Sequence, residues 1–373
     1  NRAQHDWDRL DPRFDLTREP NEANRHGWIV EVDPFDASST PRKLTALGRF
    51  KHEGANVTVA GDGRVVVYMG DDERFDYMYK FVSSRTYVEG DAAGNHALLD
   101  EGDLYVAKFN GNGSVDGIHD GDGEWLPLVV DGRSAVDGFT LEEVLVHTRL
   151  AADAVSPTKM DRPEDVEVNP VNGRVYAALT NNSRRAPAQV DEVNPRANNK
   201  HGQVLEITPR GGDHTVAGFD WKLVLVCGDP SDPQTYFNGY DKSEVSAISC
   251  PDNVAFDGEA TCGSRPTATP SAAATACTSC RSRASTRGTC SSSSPSPPSP
   301  SAAARSSSGT SGSSSPRSST RARTTAPRRP TSRAPSLPGQ HPAAPRGHHD
   351  LAAEPLRRQG QGQGHREGRP VHE

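Results

Sequence analysis

Three carboxylates each stand just ahead of a short hydrophobic strand pattern, and an arginine stands beside one of them. Glu53, Glu164 and Asp252 hold equivalent places in three separate segments, and Arg162 lies two residues before Glu164. Carboxylate oxygens are the ligands that hard cations such as calcium prefer. The planar guanidinium of arginine suits the binding of a phosphate or carboxylate through two oxygens. If the fold brings these residues together, they suit phosphoryl transfer assisted by metal ions.

The same residues also have a purely structural interpretation. Arg162 and Asp165 can form an ion pair that only stabilises the fold, and Glu53 can be a solvated loop residue. A second acidic run, Asp71-Asp72-Glu73, follows a strand pattern. We interpret that run as a solvated surface rather than as a site. Residue types alone leave the functional and the structural interpretation open.

Each carboxylate precedes a strand-turn-strand pattern. Around Glu164, the alternating Val166-Glu167-Val168 leads to an Asn-Gly turn and a second strand over 174–179. The same order recurs over 57–68, and its first half recurs over 254–258. A unit that returns about every hundred residues, with other strands between, predicts a β-propeller with long insertions. The starts of the innermost strands surround one central opening in such a ring, so we expect the three carboxylates to converge there.

The fold class predicted from these patterns is mainly β, over residues 1–258. One short helix interrupts the strands. Thr140-Leu141-Glu142-Glu143 is a capping box, and the helix that it opens is predicted to run to about Ala154. This helix and the loop after it lead to the segment that contains Arg162.

Charge and composition divide the chain near Gly258. Residues 1–258 hold 26 basic and 44 acidic residues, whereas residues 259–373 hold 16 Arg and 5 acidic residues. The acidic first part argues against nucleic acid as a partner, because phosphate binding there would need basic surface. It also has only two cysteines, so it predicts no disulfide framework. No signal peptide and no apolar run of transmembrane length is recognisable.

Residues 259–373 contain no Phe, Trp, Tyr, Ile or Lys and are rich in Ser, Ala, Pro and Arg. This composition predicts a low-complexity, disordered tail. We interpret the tail as out-of-frame translation, because back-translating Thr261–Ala268 and shifting the frame by two bases yields Leu-Trp-Ile-Ala-Thr-Asp-Gly. That heptapeptide would be the second strand that the third repeat lacks. A genuine disordered tail is the alternative.

Over nearly all of residues 1–258 the sequence resembles the PhoX family of secreted bacterial alkaline phosphatases. The resemblance is carried, in order along the chain, by Gly27–Phe35, Thr45–Ala55, Tyr68–Phe75, Asp161–Glu167, Asn194–Arg196, Lys200–Gly202 and Cys250–Asn253. It implies a monomeric propeller, six-bladed in the family, that hydrolyses phosphate monoesters at an iron and calcium cluster. It also implies a periplasmic or extracellular protein that is exported folded by the twin-arginine route.

Carried over by motif, the resemblance implies that Glu53, Glu164 and Asp252 are ligands of Ca²⁺ and Fe³⁺, and that Arg162 binds the phosphate. The export signal and the iron-binding cysteine segment of the family precede Asn1, and the tail replaces its last blades. We therefore expect an incomplete propeller that is unstable and inactive as written. Two alternatives remain open: a non-catalytic propeller that binds calcium or a partner, and a calcium-dependent hydrolase of the lactonase type.

Overall fold

The structure is a computed structural model, and it describes residues 6–113, 117–238 and 240–256 together with the backbone of three later strands. Contacts divide the chain into two units, Asn1–Ser299 and Pro300–Glu373. Every described residue belongs to the first unit. Apart from the three later strands, the predicted tail lies outside the described residues.

The first four-stranded antiparallel meander follows Glu53. Its strands, in chain order, are β3 (Asn56–Val59), β4 (Arg64–Gly70), β5 (Met78–Thr86) and β6 (Gly102–Gly111). Each strand pairs with the next one along the chain. The turn between β3 and β4 contains Gly63 at φ +88°, a left-handed conformation that glycine adopts without steric cost. The predicted turn at this place is confirmed. An isolated two-stranded sheet precedes the meander, formed by β1 (Val30–Glu31) and β2 (Arg42–Lys43).

The second meander contains Glu164 within its first strand. Its strands are β9 (Pro163–Val168), β10 (Val175–Leu179), β11 (Gln203–Pro209) and β12 (Gly218–Val226). The turn from β9 to β10 is held by the Asn169 side chain, whose Oδ1 accepts from the backbone N–H of Val171 at 2.9 Å. Gly173 at φ +68° completes this turn, as the Asn-Gly signal predicts.

One long strand joins the two meanders at their outer edges. Strand β7 (Asp120–Val130) pairs with β6 on one side and with β12 on the other, and the short β8 (Arg133–Ser134) pairs with its end. The result is one continuous sheet in the order β3-β4-β5-β6-β7-β12-β11-β10-β9. The sheet curls back on itself, because its two terminal strands β3 and β9 lie against each other.

A third antiparallel sheet begins at the segment that carries Asp252. Strand β13 (Pro251–Phe256) pairs with β14 (Thr261–Pro266), which pairs with β15 (Cys277–Arg281) and then with β16 (Ser291–Ser293). The sequence predicts no second strand here, whereas the structure has β14 in that place. Antiparallel pairing satisfies backbone N–H and C=O groups whatever the side chains are, so composition alone does not exclude it.

Three successive meanders that start at β3, β9 and β13 confirm the mainly β, propeller-type fold. Strand β9 packs against both β3 and β13, so the three first strands are neighbours. Apart from Arg64, the second strand of each of the first two meanders is buried and largely apolar, as in Val66, Val67, Ala177 and Leu179. Burial of these central strands stabilises each meander by about 25 cal/mol per Å² of apolar surface.

The capping box at Thr140 is confirmed, but the single helix that it predicts is two. The backbone N–H of Glu143 donates to Thr140 Oγ1 at 3.2 Å, and helix α2 (Leu141–Val146) begins there. Helix α3 (Thr148–Val155) follows after His147. The break has a physical cause, since the Leu145 carbonyl accepts from the Arg49 N–H outside the helix. A four-residue helix, α1 (Ala92–Asn95), was not predicted. No helix among the described residues is long and apolar enough to cross a membrane.

Candidate metal centre

Glu164 is the most deeply buried of the predicted site residues. It is the second residue of β9, and its side chain is only 2% exposed. The strand reaches this position because β4 ends in Gly70: a side chain there would place its Cβ 2.3 Å from the Glu164 carbonyl oxygen. Only glycine allows that close approach of the two backbones.

Glu53 and Asp72 reach the same place from the two sides of the β3–β4 hairpin. Beyond the regular strands, the Glu53 N–H donates to the Gly70 carbonyl at 3.3 Å, and the Asp72 N–H donates to the Lys51 carbonyl at 2.9 Å. The hairpin therefore continues past its strand ends. It places the two carboxylates at the edge where β9 begins.

These three carboxylates form a cluster that could hold a metal ion. One oxygen each of Glu53, Asp72 and Glu164 lies within 4.8 Å of the others. Asp72 Oδ1 and Glu164 Oε1 are buried, and each is paired with the guanidinium of Arg162. Three crowded carboxylates beside one guanidinium keep an excess of negative charge, which a bound cation would compensate. The donor set is all oxygen, so the residues fit a hard cation such as Ca²⁺ or Fe³⁺.

Crowding of like charges changes the acidity of the cluster. Burial, together with the nearby charges of Asp72 and Glu53, raises the pKa of Glu164 to about 8, although Arg162 opposes the shift. Burial and the charges of Asp72 and Asp252 also raise the pKa of Glu53. Both shifts indicate that the cluster favours an added positive charge, either a proton or a cation.

Arg162 lies between two of the carboxylates. Its Nε is 2.6 Å from Asp72 Oδ1, and its Nη2 is 2.9 Å from Glu164 Oε1. Burial lowers the pKa of this guanidinium, but pairing with Asp72 and the charge of Glu164 outweigh burial and raise it. Its Nε and Nη2 are engaged by these carboxylates, whereas Nη1 pairs with no described residue, and the side chain is 28% exposed. The guanidinium is therefore a fixed cation with one nitrogen, Nη1, available to an oxyanion.

The predicted Asp252 is the second residue of β13 and is half-buried. It does not belong to the cluster of three, but its charge is close enough to raise the pKa of Glu53. Its role as a ligand stays a prediction. The structural pair of Arg162 with Asp165 is not formed. Instead, Asp165 Oδ2 accepts from the Val254 N–H at 3.0 Å and so ties β9 to β13.

Asp72 is the site residue that sequence reasoning missed. The run from Asp71 to Glu73 was interpreted as solvated surface, and that interpretation is wrong. Asp71 is completely buried and pairs with Arg149, whereas Asp72 faces Arg162. A signal was present in the sequence. Counting outward from the Gly61-Asp62-Gly63 turn along both strands places residues 71 and 72 opposite residues 52 and 53.

The comparisons with known proteins agree with this geometry. The model of the family described as alkaline phosphatase PhoX matches residues 2–261. The chain belongs to the PhoX alkaline phosphatase family. A PhoX structure from Pseudomonas fluorescens, in complex with vanadate, a transition state analogue, has 43% sequence identity and a TM-score of 0.65. The likeness covers 72% of this chain and 48% of the Pseudomonas fluorescens chain. No curated protein is significantly similar in sequence.

Membership in the PhoX family confirms the resemblance stated from the sequence motifs. The chain spans about half the length of the Pseudomonas fluorescens PhoX. The family match includes every residue of the cluster and Arg162.

Proposed function

We propose that this chain carries the site of a metal-dependent phosphomonoesterase. The observation that carries the proposal is a single arrangement: Arg162 is held between Asp72 and Glu164 through Nε and Nη2, while Nη1 pairs with no described residue. A cation with free donors beside a cluster of acidic oxygens is what a phosphate monoester requires, because the ester is both anionic and a metal ligand.

Glu53, Asp72 and Glu164 would hold the metal ions, with Asp252 as a further ligand from the third sheet. We propose Ca²⁺ and Fe³⁺, as the family resemblance implies, and both are hard cations that take carboxylate oxygens. When bound, such ions neutralise the charge of the phosphoryl group and assist its transfer. Metal binding would oppose the raised pKa of Glu164, because a carboxylate binds a metal ion in its ionised form.

Arg162 would bind and orient the substrate. Its planar fork can donate to two oxygens of a tetrahedral phosphoryl group, which fixes the direction of the ester bond relative to the carboxylate cluster. The pairing with Asp72 and Glu164 restricts the guanidinium before the substrate arrives, so less conformational entropy is lost on binding.

We further propose, from the family resemblance, a monomer that acts in the periplasm or outside the cell after twin-arginine export. The acidic balance of residues 1–258 supports a small anionic ester held by metal ions, rather than nucleic acid, as the ligand.

The test uses the full chain, stripped with a chelator and reloaded with Ca²⁺ and Fe³⁺. Hydrolysis of p-nitrophenyl phosphate and binding of vanadate are measured before and after reloading. We expect vanadate binding to depend on the metals, whereas hydrolysis tests the expectation that the incomplete propeller is inactive as written. Metal-loaded protein that neither binds vanadate nor hydrolyses the ester would refute the proposal. Hydrolysis of a lactone in place of the phosphate ester would favour the lactonase alternative.

A further inference from the structure

Arg162 has an unusual backbone conformation that its surroundings must hold. Its φ is +61°, in the left-handed region that is unfavourable for a non-glycine residue. Its carbonyl accepts from the Thr180 N–H at 3.1 Å. The direction in which the Arg162 side chain extends from the backbone therefore depends on the position of the preceding residue, Asp161.

The residue before Arg162 is a completely buried aspartate. Asp161 is 0% exposed, and its two carboxylate oxygens accept from different partners. Arg185 Nε donates to Oδ1 at 2.6 Å, and Asn199 Nδ2 donates to Oδ2 at 2.9 Å. A buried carboxylate needs such partners, because removing one leaves an uncompensated charge. The carboxylate of Asp161 is therefore held by Arg185 in the interior of the protein.

Arg185 also contacts the segment that carries Asp72. Its Nη2 donates to the Lys159 carbonyl at 2.6 Å, and its guanidinium lies over the Phe75 ring at 5.3 Å. Phe75 follows Asp72 by three residues, and its N–H donates to the Met160 carbonyl at 2.9 Å. One buried side chain therefore joins the two segments whose side chains form the Asp72–Arg162 ion pair.

We propose that Arg185 is a positioning residue for phosphate binding. Through Asp161 and Phe75 it fixes the Asp72–Arg162 pair, so that Nη1 of Arg162, which pairs with no described residue, is held ready for the phosphoryl group. Arg185 does not contact the substrate itself, since it is buried and all three of its nitrogens donate to the protein. The predicted effect on phosphate binding rests on the proposed function. The effect of Arg185 on the position of Arg162 can be tested without that function. A displacement of about 1 Å at such a group can cost a hundredfold in rate.

The test compares Arg185→Lys with Arg196→Lys in the metal-loaded full chain. Lysine keeps the charge that pairs with Asp161 but cannot form the three-way fork. Arg196 is a matched control, a buried arginine that donates to the Cys227 carbonyl and contacts neither segment. We expect Arg185→Lys to weaken vanadate binding roughly tenfold or more while Ca²⁺ binding is unchanged. The rate at which phenylglyoxal modifies Arg162, followed by peptide mass spectrometry, should rise several-fold. Arg196→Lys should change neither readout.

A double variant separates positioning from a general loss of stability. In an Arg162→Ala background, Arg185→Lys should weaken vanadate binding no further, because it acts through Arg162. An equal loss in that background, or an unchanged Arg162 modification rate in the single variant, would overturn the proposal. If Arg162→Ala alone leaves vanadate binding intact, the proposed function fails, yet the modification rate still decides the positioning role. Should Arg185→Lys not fold, Phe75→Leu removes the ring beneath Arg185 without touching a charge. It must raise the modification rate of Arg162 in the same way, or the proposal is wrong.

Discussion

Replacing Arg162 with alanine should weaken the binding of a phosphate analogue about a hundredfold. Nε and Nη2 of this guanidinium pair with Asp72 and Glu164, and Nη1 pairs with no described residue, so one or two charge-assisted bonds from its outer N–H groups to an oxyanion would be lost. Each such bond contributes about 1.5–3 kcal/mol. A total of about 3 kcal/mol corresponds to roughly a hundredfold in Kd. Because Arg162→Ala also leaves Asp72 and Glu164 without their counter-charge, the stability of the variant is measured alongside, and the loss of binding is taken at conditions where the variant is folded.

Arg162→Lys separates the effect of the positive charge from the effect of the planar guanidinium with its several donors. Lysine keeps a positive charge near Glu164 but offers a single ammonium, so we expect a smaller loss of about tenfold. Arg174 offers a matched control, because it also pairs with a buried carboxylate, that of Glu206, at 2.9 Å. It lies at the opposite end of the β9–β10 hairpin from the cluster. Arg174→Ala should therefore leave binding of the analogue unchanged.

The assay is calorimetric titration of vanadate into metal-loaded protein, with Ca²⁺ affinity measured in parallel. The reasoning is refuted if Arg162→Ala binds vanadate as tightly as the unaltered protein. It is also refuted if Arg174→Ala weakens binding by the same factor, because the effect would then be unspecific.

Three further outcomes follow from particular contacts. Glu164→Gln should lower metal occupancy after dialysis at least tenfold, measured by elemental analysis, and full occupancy would remove Glu164 from the ligand set. Burial lowers the pKa of Lys80 from 10.5 to about 7. The unfolded chain therefore binds more protons than the folded one between these values, and the free energy of unfolding should rise from pH 7 to 9 by up to about 1.4 kcal/mol per unit. Lys80→Met should flatten that rise in urea titrations, and an identical slope in both proteins would contradict the burial argument. Thr140→Ala should cost about 1 kcal/mol of stability and Thr140→Ser little, because only alanine loses the cap oxygen, and equal midpoints for the two would show that the cap is unimportant.

The sequence was sufficient for the repeat. The turn signals at Gly61-Asp62-Gly63 and Asn172-Gly173 fix two hairpins, and each hairpin places its acidic residue at one end. The propeller expectation placed Glu53, Glu164 and Asp252 together, and the structure brings Glu53 and Glu164 into one cluster with Asp72, whereas Asp252 lies outside it. The family resemblance came from motifs around the same residues and is confirmed by the family match.

What sequence reasoning could not decide was which member of an acidic run faces the site. Asp71 and Asp72 are neighbours of the same type, yet their side chains point to opposite sides of an extended chain. Asp71 is neutralised in the interior by Arg149, which comes from helix α3 and is remote in sequence. Local sequence patterns also could not predict the full length of strand β7. Its first residues, Asp120-Gly121-Asp122-Gly123, have the composition of a polar turn, and they form a strand because they pair with β6 and β12.

The most direct test of the account is anomalous X-ray scattering, at the iron edge, from crystals of the metal-loaded protein grown with vanadate. The account predicts an iron peak bounded by the carboxylates of Glu53, Asp72 and Glu164, with vanadate oxygens within hydrogen-bond distance of the Arg162 guanidinium. Metal bound at other residues, or vanadate that leaves Arg162 without a contact, would contradict it.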